Sequence, residues 1–129
     1  MTTLSVMLDM NPSAIPTHIY LSQNSENMTL EFLLYTTKGA LTVSSGTTGE
    51  LRGIRNYKDQ ISISGSVILK SSSSITINSA NYRPYPALQI TDLTTLVSEP
   101  GVVVCAITLK RNNKELSSSK CIVHIEAMP

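Results

Sequence analysis

Apolar and polar residues alternate along most of the chain, which is typical of strands that bury one face. The alternation is clearest over residues 28–34, whose apolar positions include Met28, Leu30, Phe32 and Leu34. Two shorter alternations, over residues 4–10 and 18–23, precede it and are separated by Pro12, since proline cannot donate to a strand ladder. A polar turn at residues 36–39 follows. The first third of the chain therefore predicts three strands.

The last third of the chain predicts a hairpin of two long strands. Residues 102–109 and 116–126 are strand-like runs on either side of a polar turn at residues 110–114. The apolar side chains on one face of these strands are Val103, Cys105, Ile107, Leu109, Cys121, Val123 and Ile125. If the turn centres on Asn112 and Asn113, the two cysteines lie within about one residue of cross-strand register.

Shorter strands are predicted between these two regions. Residues 50–55 and 61–69 are strand-like runs joined by a polar turn at residues 56–59. Gly65 marks a bulge or kink in the second run. A further short strand over residues 75–78 follows a run of serines.

One short helix is predicted near residues 91–97. Thr91 or Asp92 can cap its first turn, and the Pro100–Gly101 pair ends it. The residues of this segment that are expected to face the core are Leu93, Leu96 and Val97.

The number and spacing of these elements predict the fold class. About 7–9 short strands, with turns at intervals of about 8–12 residues, favour an all-β, immunoglobulin-like antiparallel β-sandwich. The immunoglobulin likeness is loose, because the chain has no Trp for a Cys…Trp…Cys core. No linker divides the sequence, so residues 1–129 are expected to form a single domain.

The composition argues against several classes of function. Only 15% of the residues are charged, the net charge is +1 and the basic residues are dispersed, so no nucleic-acid partner is expected. No apolar run is long enough to span a membrane, and Met1–Val6 lacks the features of a secretory signal. The absence of Trp also weakens an interpretation based on sugar or base stacking.

Candidate catalytic and metal-binding residues are few. His18 and His124 are the only histidines, and neither has the spacing of a zinc ligand pair. We therefore expect no catalytic residue, metal site or cofactor, and no enzymatic activity. Cys105 and Cys121 are interpreted as buried thiols that pack as small apolar side chains, and a disulfide between them is the alternative.

Tyr82, Arg83 and Tyr85 form the best candidate for a protein-interaction site. Tyrosine and arginine are enriched at protein interfaces, and the prolines at 84 and 86 stiffen the segment, so that it loses little entropy on docking. The alternative is an ordinary loop whose tyrosines cover the edge of the core.

Five segments keep a recognisable order and spacing of apolar positions and turns. They are Ile19–Gln23, Met28–Leu34, Glu50–Arg55, Leu93–Leu109 and Lys120–Glu126. Together they resemble the N-terminal β-sandwich domain of upper baseplate proteins of tailed phages. The resemblance implies a non-enzymatic structural protein that docks by protein–protein contacts in the virion.

The same resemblance implies particular partners and a location. The partners are other phage virion proteins of the capsid, tail or baseplate, and further copies of the chain, in a virion assembled in the host cytoplasm. Family members continue into a long fibre or receptor-binding region, whereas this chain stops at Pro129. That difference favours a small particle component, such as a capsid decoration or head-fibre protein, or a piece of a longer protein. The alternative is a carbohydrate- or receptor-binding module of a phage adhesion device.

Overall fold

The computed structural model describes residues 2–11, 15–36, 41 and 43–128. Over these residues the protein is all-β, as predicted, with ten strands and one short 3-10 helix at Gln23–Asn27. The strands are β1 (Thr3–Asp9), β2 (Thr17–Ser22), β3 (Thr29–Tyr35), β4 (Thr48–Arg55), β5 (Asp59–Lys70), β6 (Ile75–Ile77), β7 (Ala80–Tyr82), β8 (Tyr85–Ile90), β9 (Gly101–Arg111) and β10 (Lys114–Glu126). The break predicted at Pro12 and most of the turn predicted at residues 36–39 lie outside the described residues.

Eight of these strands form one sheet in the order β1-β3-β8-β5-β4-β9-β10-β2. β5 belongs to both halves of this sheet, because residues 59–65 pair with β4 and residues 66–70 pair with β8. We call β1, β3, β8 and the end of β5 the first half-sheet. The start of β5 with β4, β9, β10 and β2 is the second half-sheet. The inner faces of the two half-sheets share one apolar core.

Gly65 lies where β5 changes its partner strand. The pairing register runs through Gly65 without a bulge, so the predicted irregularity is a change of partner rather than an extra residue. A Cβ at this position would lie 2.8 Å from the carbonyl oxygen of Gln89 and 2.8 Å from a methyl group of Leu88. Only glycine therefore allows β8 to approach β5 this closely.

The predicted purely antiparallel pairing is wrong at the two edges of the sheet. β1 pairs parallel with β3, and β2 pairs parallel with β10. Parallel neighbours need a long connection between them, and both pairs have one: β2 lies between β1 and β3, and most of the chain lies between β2 and β10. The remaining strand pairs of the described residues are antiparallel.

The long terminal hairpin has the predicted faces and turn. Residues Val103, Ile107, Cys121 and Val123 are all buried in the shared core. Cys105 stands directly opposite Cys121 in the register. Asn112 and Asn113 both have positive φ, the conformation that a two-residue hairpin turn of type I′ requires.

Residues 94–97 form consecutive turns, and no helix is present over the predicted range 91–97. Leu93, Leu96 and Val97 are buried as predicted, and one helical hydrogen bond joins Val97 N to Leu93 O at 3.0 Å. A single turn of this length gains too few hydrogen bonds to propagate as a helix. The buried guanidinium of Arg55 instead donates to the carbonyl oxygens of Thr95, at 2.7 Å, and of Glu99.

The small hairpin β6–β7 packs outside the main core. Its residues Ile75 and Ile77 form a second apolar cluster with Tyr85, and Leu33 and Tyr35 of β3 pack against that cluster. Leu33 and Tyr35 alternate with the core residues of β3, so they lie on the outer face of the first half-sheet. The hairpin therefore covers part of that outer face.

Candidate docking face

The outer face of the second half-sheet carries an apolar row that crosses four strands. Ile54 pairs with Val104, Val104 with Ile122, and Ile122 with His18, so the four side chains stand in direct register. Ile54 and Val104 are 44% and 43% exposed. We call Ile54, Val104, Ile122 and His18 the apolar stripe. Contiguous exposed apolar side chains of this kind mark interaction surfaces.

Three aromatic rings lie at the β2 end of the apolar stripe. Tyr20 and His124 stack with their ring centroids 4.6 Å apart and an interplanar angle of 11°. The rings of His18 and His124 have their centroids 5.2 Å apart and an interplanar angle of 17°. Nδ1 of His18 lies 2.9 Å from Nε2 of His124, which is hydrogen-bonding distance. We call His18, Tyr20 and His124 the ring cluster.

The strand pattern explains why these rings meet. Ile19 and Leu21 are buried in the core, so the alternating residues His18 and Tyr20 of β2 point outward. The parallel register places Tyr20 beside His124, while His18 lies diagonally across from it. Sequence reasoning missed this cluster, because nothing in the local pattern identifies β2 as the neighbour of β10.

Polar and charged residues border the apolar stripe. Along β10 the outward positions are Lys120, Ile122, His124 and Glu126, so that a cation stands at one end of the row and a carboxylate at the other. Lys120 and Glu126 are both exposed. A shallow depression of about 660 Å³ lies between Arg52, Val104 and Lys120. An apolar centre with a charged rim is the usual anatomy of a protein interface.

On the opposite outer face, that of the first half-sheet, a buried carboxylate is hydrogen-bonded by other residues of the chain. The buried carboxylate of Glu31 accepts hydrogen bonds from Gln89 Nε2 at 2.7 Å, Ser5 Oγ at 2.9 Å and Lys70 Nζ at 3.0 and 3.2 Å. Burial alone would raise the pKa of Glu31. The hydrogen bonds from Gln89, Lys70 and Ser5 and the positive charge of Lys70 outweigh that effect and lower the pKa. Together with the β6–β7 hairpin, this network covers part of the first half-sheet, where Met7 and Ile68 remain 42% and 36% exposed.

The three residues predicted as an interaction site differ in their exposure to solvent. Tyr85 is only 4% exposed and its hydroxyl lies 3.0 Å from Ser73 Oγ, so it is a core residue of the small cluster and is not available to a partner. Tyr82 is half-buried against the same cluster. Arg83 is exposed. The two tyrosines therefore agree with the alternative interpretation, in which their side chains cover the edge of a core.

The cysteine pair is buried and reduced. Cys105 and Cys121 are free thiols whose sulfur atoms lie 2.9 Å apart. The hydrogen bond with Cys105 and the burial of the site raise the pKa of Cys121, which disfavours its thiolate. Because the thiolate is the nucleophilic form, this pair has the properties of core packing rather than of a reactive site.

Within the described residues, no group of three or more His, Cys, Asp or Glu side chains could hold a metal ion. No helix of the described part of the chain is both long and apolar enough to cross a membrane. No known protein-family model matches the chain, and no curated protein matches it.

Proposed function

We propose that this protein is a non-enzymatic structural component of a tailed-phage virion that docks through the outer face of its second half-sheet. The observation that carries the docking role is the apolar stripe, in which Ile54, Val104, Ile122 and His18 are neighbours on adjacent strands. The virion assignment is carried by the sequence resemblance described above. Its partners are other virion proteins, of the capsid or of the tail and baseplate, and further copies of the chain.

The packing of the molecule supports a docking role for this face. The β6–β7 hairpin and the hydrogen bonds around Glu31 cover part of the first half-sheet. The outward positions of the second half-sheet include the exposed aliphatic side chains of Ile54 and Val104. Their burial against a partner is favourable by roughly 25 cal/mol per Å² of apolar surface. A low content of charged residues, 15%, also reduces the desolvation cost of packing beside other proteins.

We further propose that the fold is an immunoglobulin-like sandwich in a loose sense. The strand order supports this, because four strands on one side of the core face five on the other and the two groups share β5. The parallel pairing of β1 with β3 and the unbroken passage of β5 between the half-sheets are departures from a purely antiparallel sandwich.

The docking role can be tested by placing a charge in the centre of the apolar stripe. Val104→Lys and Ile122→Lys should abolish co-sedimentation of the protein with purified virions of the phage that encodes it, because a lysine there cannot be desolvated without a partner. Leu69→Lys is the matched control, since Leu69 is 60% exposed but lies on β5 in the first half-sheet. Circular dichroism would verify that all three variants remain folded.

The outcomes of this experiment are distinct. Loss of co-sedimentation in the two stripe variants, with retention in the control, supports docking through this face. Equal co-sedimentation of all variants contradicts it. A wild-type protein that never associates with virions contradicts the virion role itself.

A carbohydrate- or receptor-binding function is the second candidate. The observation that favours it is the Tyr20 ring, which is 68% exposed and stacked on His124, because an exposed aromatic face can pack against a sugar ring. A glycan array probed with the wild-type protein and with Tyr20→Ala tests it. Reproducible binding that the substitution removes would favour this candidate over the first.

A further inference from the structure

The two histidines of the ring cluster present their nitrogen atoms to each other on an exposed surface. His18 Nδ1 and His124 Nε2 are 2.9 Å apart. Two imidazole nitrogens bound to one tetrahedral zinc ion, each at its usual bond length, lie about 3.3 Å apart. The two nitrogens point at each other in the hydrogen bond, so both side chains would have to rotate before their lone pairs converge on the same ion. The ring that donates the hydrogen bond would have to move its proton to its other nitrogen.

One chain supplies only half of such a site. A tetrahedral zinc ion needs four ligands, and the described residues offer no third His, Cys, Asp or Glu in this group. A second copy of the same surface would supply the two missing nitrogens if a two-fold axis passed through the ion. Two-fold interfaces use the same patch on both subunits, so each copy would contribute His18 and His124.

The charges along β10 make this surface complementary to itself. The outward residues run from Lys120 through Ile122 and His124 to Glu126. When a second β10 lies antiparallel across the first, centred between Ile122 and His124, Lys120 of each copy comes opposite Glu126 of the other. The same placement brings Ile122 of each copy opposite His124 of the other and puts the two ring clusters in contact across the interface.

We propose that two copies of this chain pack antiparallel through the outer faces of their second half-sheets and share one zinc ion bound by His18 and His124 of both copies. This rests on the docking face proposed above and identifies one of its partners as a second copy. Burial of the apolar stripe would supply hydrophobic stabilisation, and the shared ion would fix the register of the two sheets.

The metal dependence is tested by sedimentation velocity and titration calorimetry on untagged protein, with zinc chloride or with a chelator. The expected result is a monomer in chelator and a dimer that binds one zinc ion per two chains. His18→Gln and His124→Gln should each weaken zinc binding by tenfold or more, since loss of a residue that merely orients a ligand already costs about 10–100-fold. Tyr57→Asn, at the exposed tip of the β4–β5 turn, is a control that should bind zinc normally.

The antiparallel arrangement is tested by exchanging charges. Lys120→Glu and Glu126→Lys should each weaken the zinc-dependent dimer, because each places like charges opposite one another across the interface. The double variant Lys120→Glu/Glu126→Lys restores opposite charges and should recover dimerisation. A double variant that is as weak as the sum of its single changes would contradict the antiparallel arrangement.

Two further outcomes would overturn the proposal. Binding of one zinc ion per chain without dimerisation would show that the ion is not shared. A dimer of equal strength in zinc and in chelator would remove the metal from the interface, and it would leave the docking function proposed above intact. Failure of Val104→Lys and Ile122→Lys to affect virion binding would, in contrast, contradict that function whatever the zinc result.

Discussion

The side-chain amide of Asn56 occupies the space that a side chain at Gly101 would need. A Cβ built on Gly101 would overlap the oxygen, nitrogen and carbon of that amide. Asn56 uses the same amide to accept from Val102 N at 3.0 Å and to donate to Pro100 O at 3.3 Å. The turn between β4 and β5 is thereby joined to the start of β9, at the margin of the second half-sheet.

Gly101→Ala should destabilise the protein by about 2–3 kcal/mol, because strain at an unfavourable φ and displacement of the Asn56 amide act together. Gly101 has φ +130°, a conformation that L side chains rarely adopt. Urea unfolding followed by circular dichroism measures the loss.

Gly46→Ala is the matched control for this prediction. Gly46 also has positive φ, +87°, but a Cβ there would meet no atom within 4 Å. The substitution Gly46→Ala should therefore lower the free energy of unfolding by only about 1 kcal/mol, because only the unfavourable φ contributes. Equal losses for the two substitutions would contradict the role assigned to Asn56.

The buried carboxylate of Glu31 should make stability depend on pH in the acid range. Its pKa is lowered in the folded protein, so its contribution is fully present above the unfolded-state pKa of about 4.3 and is lost as the pH falls through the lower folded-state value. Glu31→Gln should lower the free energy of unfolding by about 1–2 kcal/mol at pH 7, because Lys70 loses its charged partner.

The difference between wild type and Glu31→Gln should shrink as the pH falls from the ordinary glutamate pKa through the lowered folded-state pKa, below which the wild-type carboxyl group is neutral in both states. Urea unfolding of both proteins over a series of pH values checks this. Ser64→Ala, at an exposed position of β5, serves as a control with no expected pH-dependent difference. A gap between wild type and Glu31→Gln that stays constant down to acid pH would show that the charge of Glu31 does not stabilise the fold.

Local alternation predicted the strands well because a strand that buries one face needs an apolar residue at every second position. Phe32 and Leu34 of β3, and Val103 and Ile107 of β9, are fully buried at positions that the two-residue period indicated. The turn at Asn112 and Asn113 could also be predicted from the local sequence, because asparagine tolerates the positive φ that this turn requires.

The features that sequence did not predict depend on contacts between distant residues. Pairing of β2 with β10 brings His18 next to His124 across most of the chain length, and no local pattern identifies that partner. Tyr85 was expected at an interface, but the β6–β7 hairpin folds over it. The segment 91–97 has the apolar spacing of a helix, yet the carbonyl oxygen of Thr95 accepts a hydrogen bond from Arg55 of another strand.

Arg55 should be essential for the structure of residues 91–99. Its guanidinium is buried and donates to Thr95 O and Glu99 O. Arg55→Met would leave both carbonyl groups without this donor and should destabilise the protein by about 2–4 kcal/mol. Hydrogen exchange at Val97, whose amide donates to Leu93, should also accelerate.

Arg52→Met is the control for the Arg55 prediction, because Arg52 lies on the same strand with a side chain that is 63% exposed. Its ion pair with Glu50 is long, at 3.8 Å, so its loss should change stability by less than about 0.5 kcal/mol. Similar effects of the two substitutions would mean that the buried hydrogen bonds of Arg55 contribute little.

Cys105 and Cys121 should resist alkylation as long as the protein is folded. Both thiols are buried, and the raised pKa of Cys121 disfavours the thiolate that reacts. With iodoacetamide at pH 8, mass spectrometry should show slow labelling in buffer and rapid double labelling in urea. Leu116→Cys adds an exposed thiol on the same strand as an internal standard, since Leu116 is 53% exposed. If the native cysteines react as fast as that thiol, they are not core residues. If they stay unlabelled in urea without reductant, they form a disulfide and the assignment as free thiols fails.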